Sequence, residues 1–303
     1  MKRILLVCLT YGLLTSCYDP NVQESKSLAN PKLKKDDDSD SDKIQVVITG
    51  STTMEPIMES VTSYFLSKNP HYNISILASG SNQGIKDILG DSADIAMSSN
   101  QISDSMIAVF RKKKTEYAEF LLAGDALVFV VNINNSVTKL TDENLKKIYK
   151  GEIKDWKELD GAEGSIKLYS RDANSGSFSF FKETILGKTS PGEGIAYLKD
   201  NESIMKAVAK DKNAIGYVSF AKLDYSVEPL GISFDEGKTY VQPRVETVNN
   251  LKYKYFRGLY LYYKPENYTK IKALIDTVKT DTVQKIIRKG GYIPLSHSLI
   301  HNQ

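Results

Sequence analysis

"VVITGSTTMEP", residues 46–56, is the stretch on which the reading of the fold turns. A run of β-branched residues ends at Gly50. Three hydroxyl side chains follow, Ser51, Thr52 and Thr53, and Met-Glu-Pro then opens a stretch with helical spacing. A strand that hands over to a helix through Ser and Thr is, on its own, only a helix cap. The question is whether the chain repeats it.

From Ile44 onward strands and helices alternate, the pattern of an α/β protein. "IQVVIT" reads as a strand, and Met54 to Lys68 as a helix with Ile57, Met58, Val61 and Phe65 on one face, stopped by Asn69-Pro70. "NISILA" is the next strand, followed by a helix around Ile85–Leu89, and "DIAM" is a short buried strand. "ALVFVVN" (126–132), "SIKLYS", "AIGYVSF" and "YFRGLYLYYK" are further strands. "TDENLKKIY" opens with Thr141 as a cap, with Asn144 at the capping-box position where Glu or Gln is preferred. One or two helices end the domain, in "YTKIKALIDTVKTDTVQKIIRKGGYIPL", with a Gly-Gly stop. No repeat of fixed period is present.

The hydroxyl turn does recur. "NISILASGSNQGIKDIL" runs strand, Ser79-Gly80-Ser81, helix. "SIKLYSRDANSGSFSFFKETIL" runs strand, Arg171, Ser175-Gly176-Ser177, helix. In "DIAMSSN", Ser98 and Ser99 follow a short strand. A helix N-terminus carries unpaired N–H groups and about half a positive charge. Hydroxyls add donors there, and Gly lets the backbone come close. Several such turns, one with an Arg, point to helix dipoles and a guanidinium aimed at one anion.

The rest of the chain bounds this reading. Its 303 residues suffice for two ordinary domains or one large one, and 41% hydrophobic with 25% charged residues is a globular composition. A net charge of +3 gives no case for a nucleic-acid partner. The two Cys, Cys8 and Cys17, both lie near the start, so the body has no disulfide, thiolate metal site or Cys nucleophile. Lys2, Arg3 and the apolar "ILLVCLTYGLL" read as an export signal, too short to span a bilayer. It ends in "LTSC" (14–17), which resembles a bacterial lipobox. That resemblance implies a signal peptide over 1–16, lipidation at Cys17 and an anchor on the periplasmic or outer face of a membrane. Residues 17–43, poor in apolar side chains and rich in like-charge runs, read as a disordered tether.

Taken in order, "GSTTMEP", "SGSNQG", "DIAMSS", "RDANSGSF" and "NAIGYV" resemble the phosphate-binding proteins of phosphate-specific ABC transporters. "LTDENLKKIYKGEIKDWKELDG" (140–161) is similar to that family's segment after the first crossover, and the likeness runs from about Ile44 to the end. It implies a type II binding-protein fold: two α/β lobes of mixed sheets flanked by helices, joined by two crossover strands, with the ligand in the cleft. The crossings are expected near 125–130 and 241–247, giving one lobe of 44–126 plus 245–303 and a second of 127–244. By the same resemblance Ser51, Thr52 and Thr53 match the family's first phosphate loop and Ser81 its second. Ser98 and Ser99 match a loop in which longer members carry an Asp at the position of Ser99. Arg171, Ser175, Gly176 and Ser177 match its Arg-x-x-x-Ser-Gly-Thr loop, with Ser for the final Thr. The family's Asp accepts the proton of hydrogen phosphate and repels sulfate. Ser99 keeps an acceptor without the charge. Asp172 and Asp94 are alternative acceptors, though Asp172 is expected to orient Arg171 and Asp94 to lie in a strand. The implied ligand is inorganic phosphate, with no cofactor and no metal. The implied partners are an ABC permease and its ATPase, for a chain that is itself a monomer.

Other chemistries fit less well. A Ser nucleophile needs a base and an orienter, and none of His71, His297 and His301 adjoins a Ser motif. No Asp/His cluster suggests a metal-dependent phosphatase. "GKT" (187–189) partly matches a P-loop, but the required upstream Gly is Lys182. Trp156 reads as packing, and "LYLYYK" as a strand with alternating aromatics rather than a sugar platform. The readings that remain are a receptor that releases phosphate unchanged, a phosphoryl-transfer or hydrolytic enzyme on the same pocket, and a surface lipoprotein that contacts host or matrix molecules.

Overall fold

The computed structural model describes residues 42–295. The expected signal peptide, Cys17, most of the expected tether, His297 and His301 lie outside the described residues. The strands are β1 Ile44–Gly50, β2 Tyr72–Leu77, β3 Ile95–Ser98, β4 Ala118–Asn132, β5 Lys139–Thr141, β6 Lys167–Arg171, β7 Ala196–Leu198, β8 Ala214–Ser219, β9 Val227–Pro229, β10 Gly231–Ser233 and β11 Phe256–Tyr263. The helices are α1 Glu55–Lys68, α2 Ser81–Leu89, α3 Asp104–Lys112, α4 Asp142–Lys150, α5 Gly176–Phe181, α6 Asn201–Lys210, α7 Val245–Asn249, α8 Tyr268–Val278 and α9 Asp281–Lys289. The alternation read from the sequence is therefore present, and the final segment forms two helices.

A single mixed sheet runs in the order β2-β1-β3-β11-β4-β8-β6-β7, with β9 also on β4. Strand β1 is parallel to both β2 and β3, as each is reached through a helix. Strand β11 is antiparallel to β3 and β4, and β8 is antiparallel to β4 but parallel to β6. A separate parallel pair joins β5 to β10.

Strand β4 organises the molecule. Its first part, Ala118–Ala126, pairs with β11, and its second, Leu127–Val131, pairs with β8. Among the described residues, besides a smaller third cluster that holds Ile85, Ile88, Phe110 and Tyr262, two large hydrophobic cores form on either side of that changeover, which gives the fold its two lobes. One core gathers Ile48, Val61, Phe65, Leu122, Leu259 and Ile287. The other gathers Phe129, Tyr149, Trp156, Phe181, Tyr217 and Tyr255. Val248 and Tyr253 also pack into this second core. Phe181 stacks on Tyr217 with ring centroids 4.7 Å apart, and Phe129 meets both rings edge-on or tilted. Trp156 is buried there and donates from Nε1 to Asn213 O at 3.0 Å, a packing role as expected. Thr141 caps α4 by accepting from Asn144 N at 3.0 Å.

Candidate functional site

The register of β2, β1 and β3 brings their carboxyl ends together. Thr49 lies opposite Leu77, and Gly50 opposite Met97. The three turns that follow are therefore neighbours, and the backbone ties them. Ser51 N donates to Met97 O at 2.9 Å, and Gly80 N donates to Gly50 O at 2.7 Å. Gly50 has φ +121°, and a Cβ there would sit 2.3 Å from Met97 O, so only Gly can end this strand. Ser81 opens α2. Its Oγ accepts from Ser99 N at 3.1 Å and lies 3.4 Å from Ser99 Oγ. Ser98 Oγ donates to Asn100 O at 2.6 Å, so its proton is used within its own turn.

From the other lobe, β6 ends in Arg171 and the chain turns into α5. Ser175 caps that helix, its Oγ accepting from Ser177 N at 3.1 Å and Phe178 N at 3.4 Å. Gly176 faces the first lobe directly: a Cβ there would lie 2.5 Å from Ser81 Oγ and 2.7 Å from Ser99 Oγ. Hydrogen bonds close the gap between the two sets of turns. Arg171 Nη2 donates to Thr52 Oγ1 at 3.0 Å, and Asn201 Nδ2 to Thr53 Oγ1 at 3.3 Å. Asn82 reaches Asn174 O from its backbone at 3.1 Å and Ala173 O from its side chain at 2.8 Å. Asn100 Nδ2 reaches Glu183 Oε2 at 3.1 Å. A cleft of about 570 Å³ adjoins this contact, lined among others by Thr52, Arg171, Ser175 and Asn201.

The electrostatics single out Arg171. The residue is 2% exposed. Its guanidinium is held by neutral acceptors: Leu198 O from Nε at 3.3 Å, Lys199 O from Nη2, and Thr52 Oγ1. Nη1 is buried with no partner among the described residues. No carboxylate among the described residues lies within ion-pair distance of it. Burial lowers its pKa from the ordinary value, with Tyr217 and Asp172 opposing and Arg257 adding to the effect, and an arginine nonetheless keeps its proton. The Tyr217 hydroxyl, pushed well above its usual range by burial, accepts from Arg171 N at 3.2 Å and fixes the end of β6. A second guanidinium, Arg257, is equally buried, but Asp125 neutralises it at 2.8 Å. Of these two buried guanidinium groups, one is thus paired with a carboxylate and, among the described residues, the other is not.

All ten hydroxyl, Gly and Arg positions singled out in the sequence come to this junction: Ser51, Thr52, Thr53, Ser81, Ser98, Ser99, Arg171, Ser175, Gly176 and Ser177. Two expectations for nearby carboxylates need correction. Asp94 lies just before β3, and its carboxylate is taken by Val47 N at 2.9 Å and Lys270 Nζ at 2.7 Å. Asp172 does not hold Arg171. Its Oδ1 accepts from Asn174 N at 2.8 Å, and backbone carbonyls orient the guanidinium in its place. The sequence reading did not anticipate Asn82, Asn201, Asp125 or Arg257. Asn82 follows Ser81 directly and was within reach of inspection. The others carry no local signal. His71 precedes β2, at the end of the strand away from the turns, with its ring against Tyr72. Among the described residues no group of three or more His, Cys, Asp or Glu could hold a metal ion, and no helix is long and apolar enough to cross a membrane.

Comparison with known proteins agrees with this architecture. The model of the PBP superfamily domain matches residues 36–280. The phosphate-binding protein PstS of Borreliella burgdorferi is 30% identical over 263 residues, which cover 84% of this chain and 91% of that protein. PstS of Bacillus subtilis is 27% identical over 297 residues, covering 97% and 94%. Among solved structures, a Clostridium perfringens protein described as a phosphate ABC transporter substrate-binding protein, crystallised with bound phosphate, superposes with a TM-score of 0.75. It is 30% identical, and the match covers 83% of this chain and all of that one. The chain belongs to the PBP superfamily and, within it, to the PstS phosphate-binding proteins.

Proposed function

We propose that the protein binds inorganic phosphate between its lobes, outside the cytoplasmic membrane, and delivers it unchanged to an ABC permease and its ATPase for import. The observation that carries this reading is Arg171: a buried guanidinium that, among the described residues, has an unpartnered Nη1 and no carboxylate within ion-pair distance, set among hydroxyl turns. An unpaired buried charge is costly, and a bound anion removes that cost. The relatives' names supply the anion's identity. The proposed ligand shell is Ser51, Thr52, Thr53, Ser81, Ser98, Ser99, Arg171, Ser175, Gly176 and Ser177, with Ser98, whose proton goes to Asn100 O, shaping its turn rather than donating from its hydroxyl. No cofactor is required. The alternative of an enzyme on the same pocket gains no support, because among the described residues none of these hydroxyls is hydrogen-bonded to a carboxylate or imidazole that could act as its base.

For the lobes, the first crossing belongs within β4 at about 126. The packing of Val248, Tyr253 and Tyr255 with the second core favours a return crossing near 256 rather than 245. Cys17 is the proposed acylation site, and it holds a monomeric receptor on the membrane surface. Cys17→Ala is expected to move the protein into the soluble exported fraction, and unchanged membrane partitioning counts against the anchor.

Calorimetric titration tests the central claim. Phosphate should bind the wild type without turnover. Arg171→Ala should weaken binding by roughly 2–5 kcal/mol, the range for removing one member of a buried charged pair. Near wild-type affinity in that variant moves the site elsewhere.

A further inference from the structure

We infer that Arg257 is a positioning residue for the anion. It acts through Ser177, committing that hydroxyl to donate, and thereby sets how evenly the site accepts protonated and unprotonated anions. The inference rests on the phosphate site proposed above.

The geometry is a relay across the changeover between the two cores. Arg257 on β11 lies directly opposite Asp125 on β4. Its Nε and Nη2 donate to Asp125 Oδ2 at 3.1 and 2.8 Å, and its Nη1 donates to Ser177 Oγ at 2.8 Å. The other carboxylate oxygen of Asp125 accepts from Ser219 Oγ at 2.9 Å and Ala221 N at 3.4 Å. Ser219 N in turn donates to Asn201 Oδ1 at 3.0 Å, and Asn201 reaches Thr53 Oγ1. The chain of bonds therefore runs from Ser177 on one lobe to Thr53 on the other, through an ion pair whose side chains are 1% and 0% exposed.

A buried ion pair adds little net stability over apolar packing of the same volume, so stability alone is a weak reason for this one. Its effect on Ser177 is more specific. A serine hydroxyl has one proton to give and two lone pairs to offer. With Arg257 on one lone pair, the lowest-energy use of the Ser177 proton is to point at the anion. Ser177 then serves an unprotonated oxygen, which phosphate and sulfate both have. Without Arg257 the hydroxyl is free to rotate and accept. Hydrogen phosphate profits from that acceptor, and sulfate does not. Loss of Arg257 should therefore weaken both anions, sulfate more than phosphate.

The test is a double-mutant cycle on anion affinity. Phosphate and sulfate are titrated calorimetrically into the wild type, Arg257→Lys, Ser177→Ala and the combined variant. Arg257→Lys keeps a charge beside Asp125 but lacks the second arm that reaches Ser177. Should it fail to fold, the neutral pair Arg257→Gln with Asp125→Asn takes its place in the cycle. In the Ser177 background the phosphate Kd should rise roughly tenfold, the effect of losing one charge-assisted hydrogen bond. The sulfate Kd should rise further. In the Ser177→Ala background Arg257 substitution should have no further effect. Equal losses in both backgrounds, or an unchanged ratio between the anions, overturn the inference while leaving the phosphate site standing. A wild type that does not bind phosphate, or a Ser177→Ala variant with full affinity, overturns the site and the inference together.

Discussion

Six hydroxyls at the junction have oxygens already loaded by protein N–H groups; in Ser98, which accepts from Asn100 N at 3.4 Å, the proton is spent on Asn100 O as well, and the other five keep theirs. Thr52 accepts from Arg171, Thr53 from Asn201, Ser81 from Ser99 N, Ser175 from two helix amides, and Ser177 from Arg257. With acceptor sites taken up in this way, the proton is what each of these five hydroxyls has most readily to offer, so the pocket is weighted toward donors and suits an anion. Ser99 Oγ differs: among the described residues it receives no N–H, and its one hydrogen-bond neighbour is Ser81 Oγ. It is the natural acceptor for the single proton of hydrogen phosphate. A serine there does not repel sulfate, so phosphate should win by a smaller margin than at a carboxylate-bearing site. Ser99→Asp should widen the margin. Competition calorimetry with both anions checks this, and an unchanged ratio would place the acceptor elsewhere. Asp94 and Asp172 are poor substitutes, since both carboxylates are committed to their own surroundings.

At the scale of elements, the site is a meeting of helix starts. Helices α1, α2 and α5 begin where β1, β2 and β6 end, and the fit between them depends on the missing side chain of Gly176. Gly176→Ala should weaken phosphate binding by about 1–3 kcal/mol, as overpacking of a tight contact does, with the melting temperature of the phosphate-free protein little changed. A drop in that melting temperature as large as the binding loss would assign the contact to the fold rather than to closure. The strand–turn–helix units were legible in the sequence because each is local. A β-branched run, a Gly and a group of hydroxyls lie within a dozen residues, and the chemistry of a helix start does the rest. Strand β4 was only half legible. "ALVFVVN" announces its second part, but Gly124-Asp125 reads as a break, and the strand continues through it from Ala118. The break is tolerated because Arg257 meets Asp125 across the ladder, 132 positions away in sequence. Asn201 was hidden for a similar reason. It reads as one more polar residue at the start of a helix, and only the folded chain brings it to Thr53.

At the scale of the molecule, two cores share one fifteen-residue strand, and the bonds that cross the cleft are few and polar. The lobes should therefore part without either one unfolding, and both should melt together. Calorimetry of the phosphate-free protein should show a single heat-absorption peak, because the ladder of β4 cannot be lost from one core and kept in the other. Two resolved peaks would mean that the lobes are thermally independent. The shared strand has a further consequence for solvent exchange. Amide protons in the middle of β4 leave only when the whole body unfolds, and should be among the last to be replaced by deuterium. The Asn82 amide is bound to Asn174 O on the other lobe, and it is bared each time the cleft opens. Deuterium uptake at Asn82, set against that of Val128, therefore separates the frequency of opening from the frequency of unfolding, and phosphate should slow the first far more than the second.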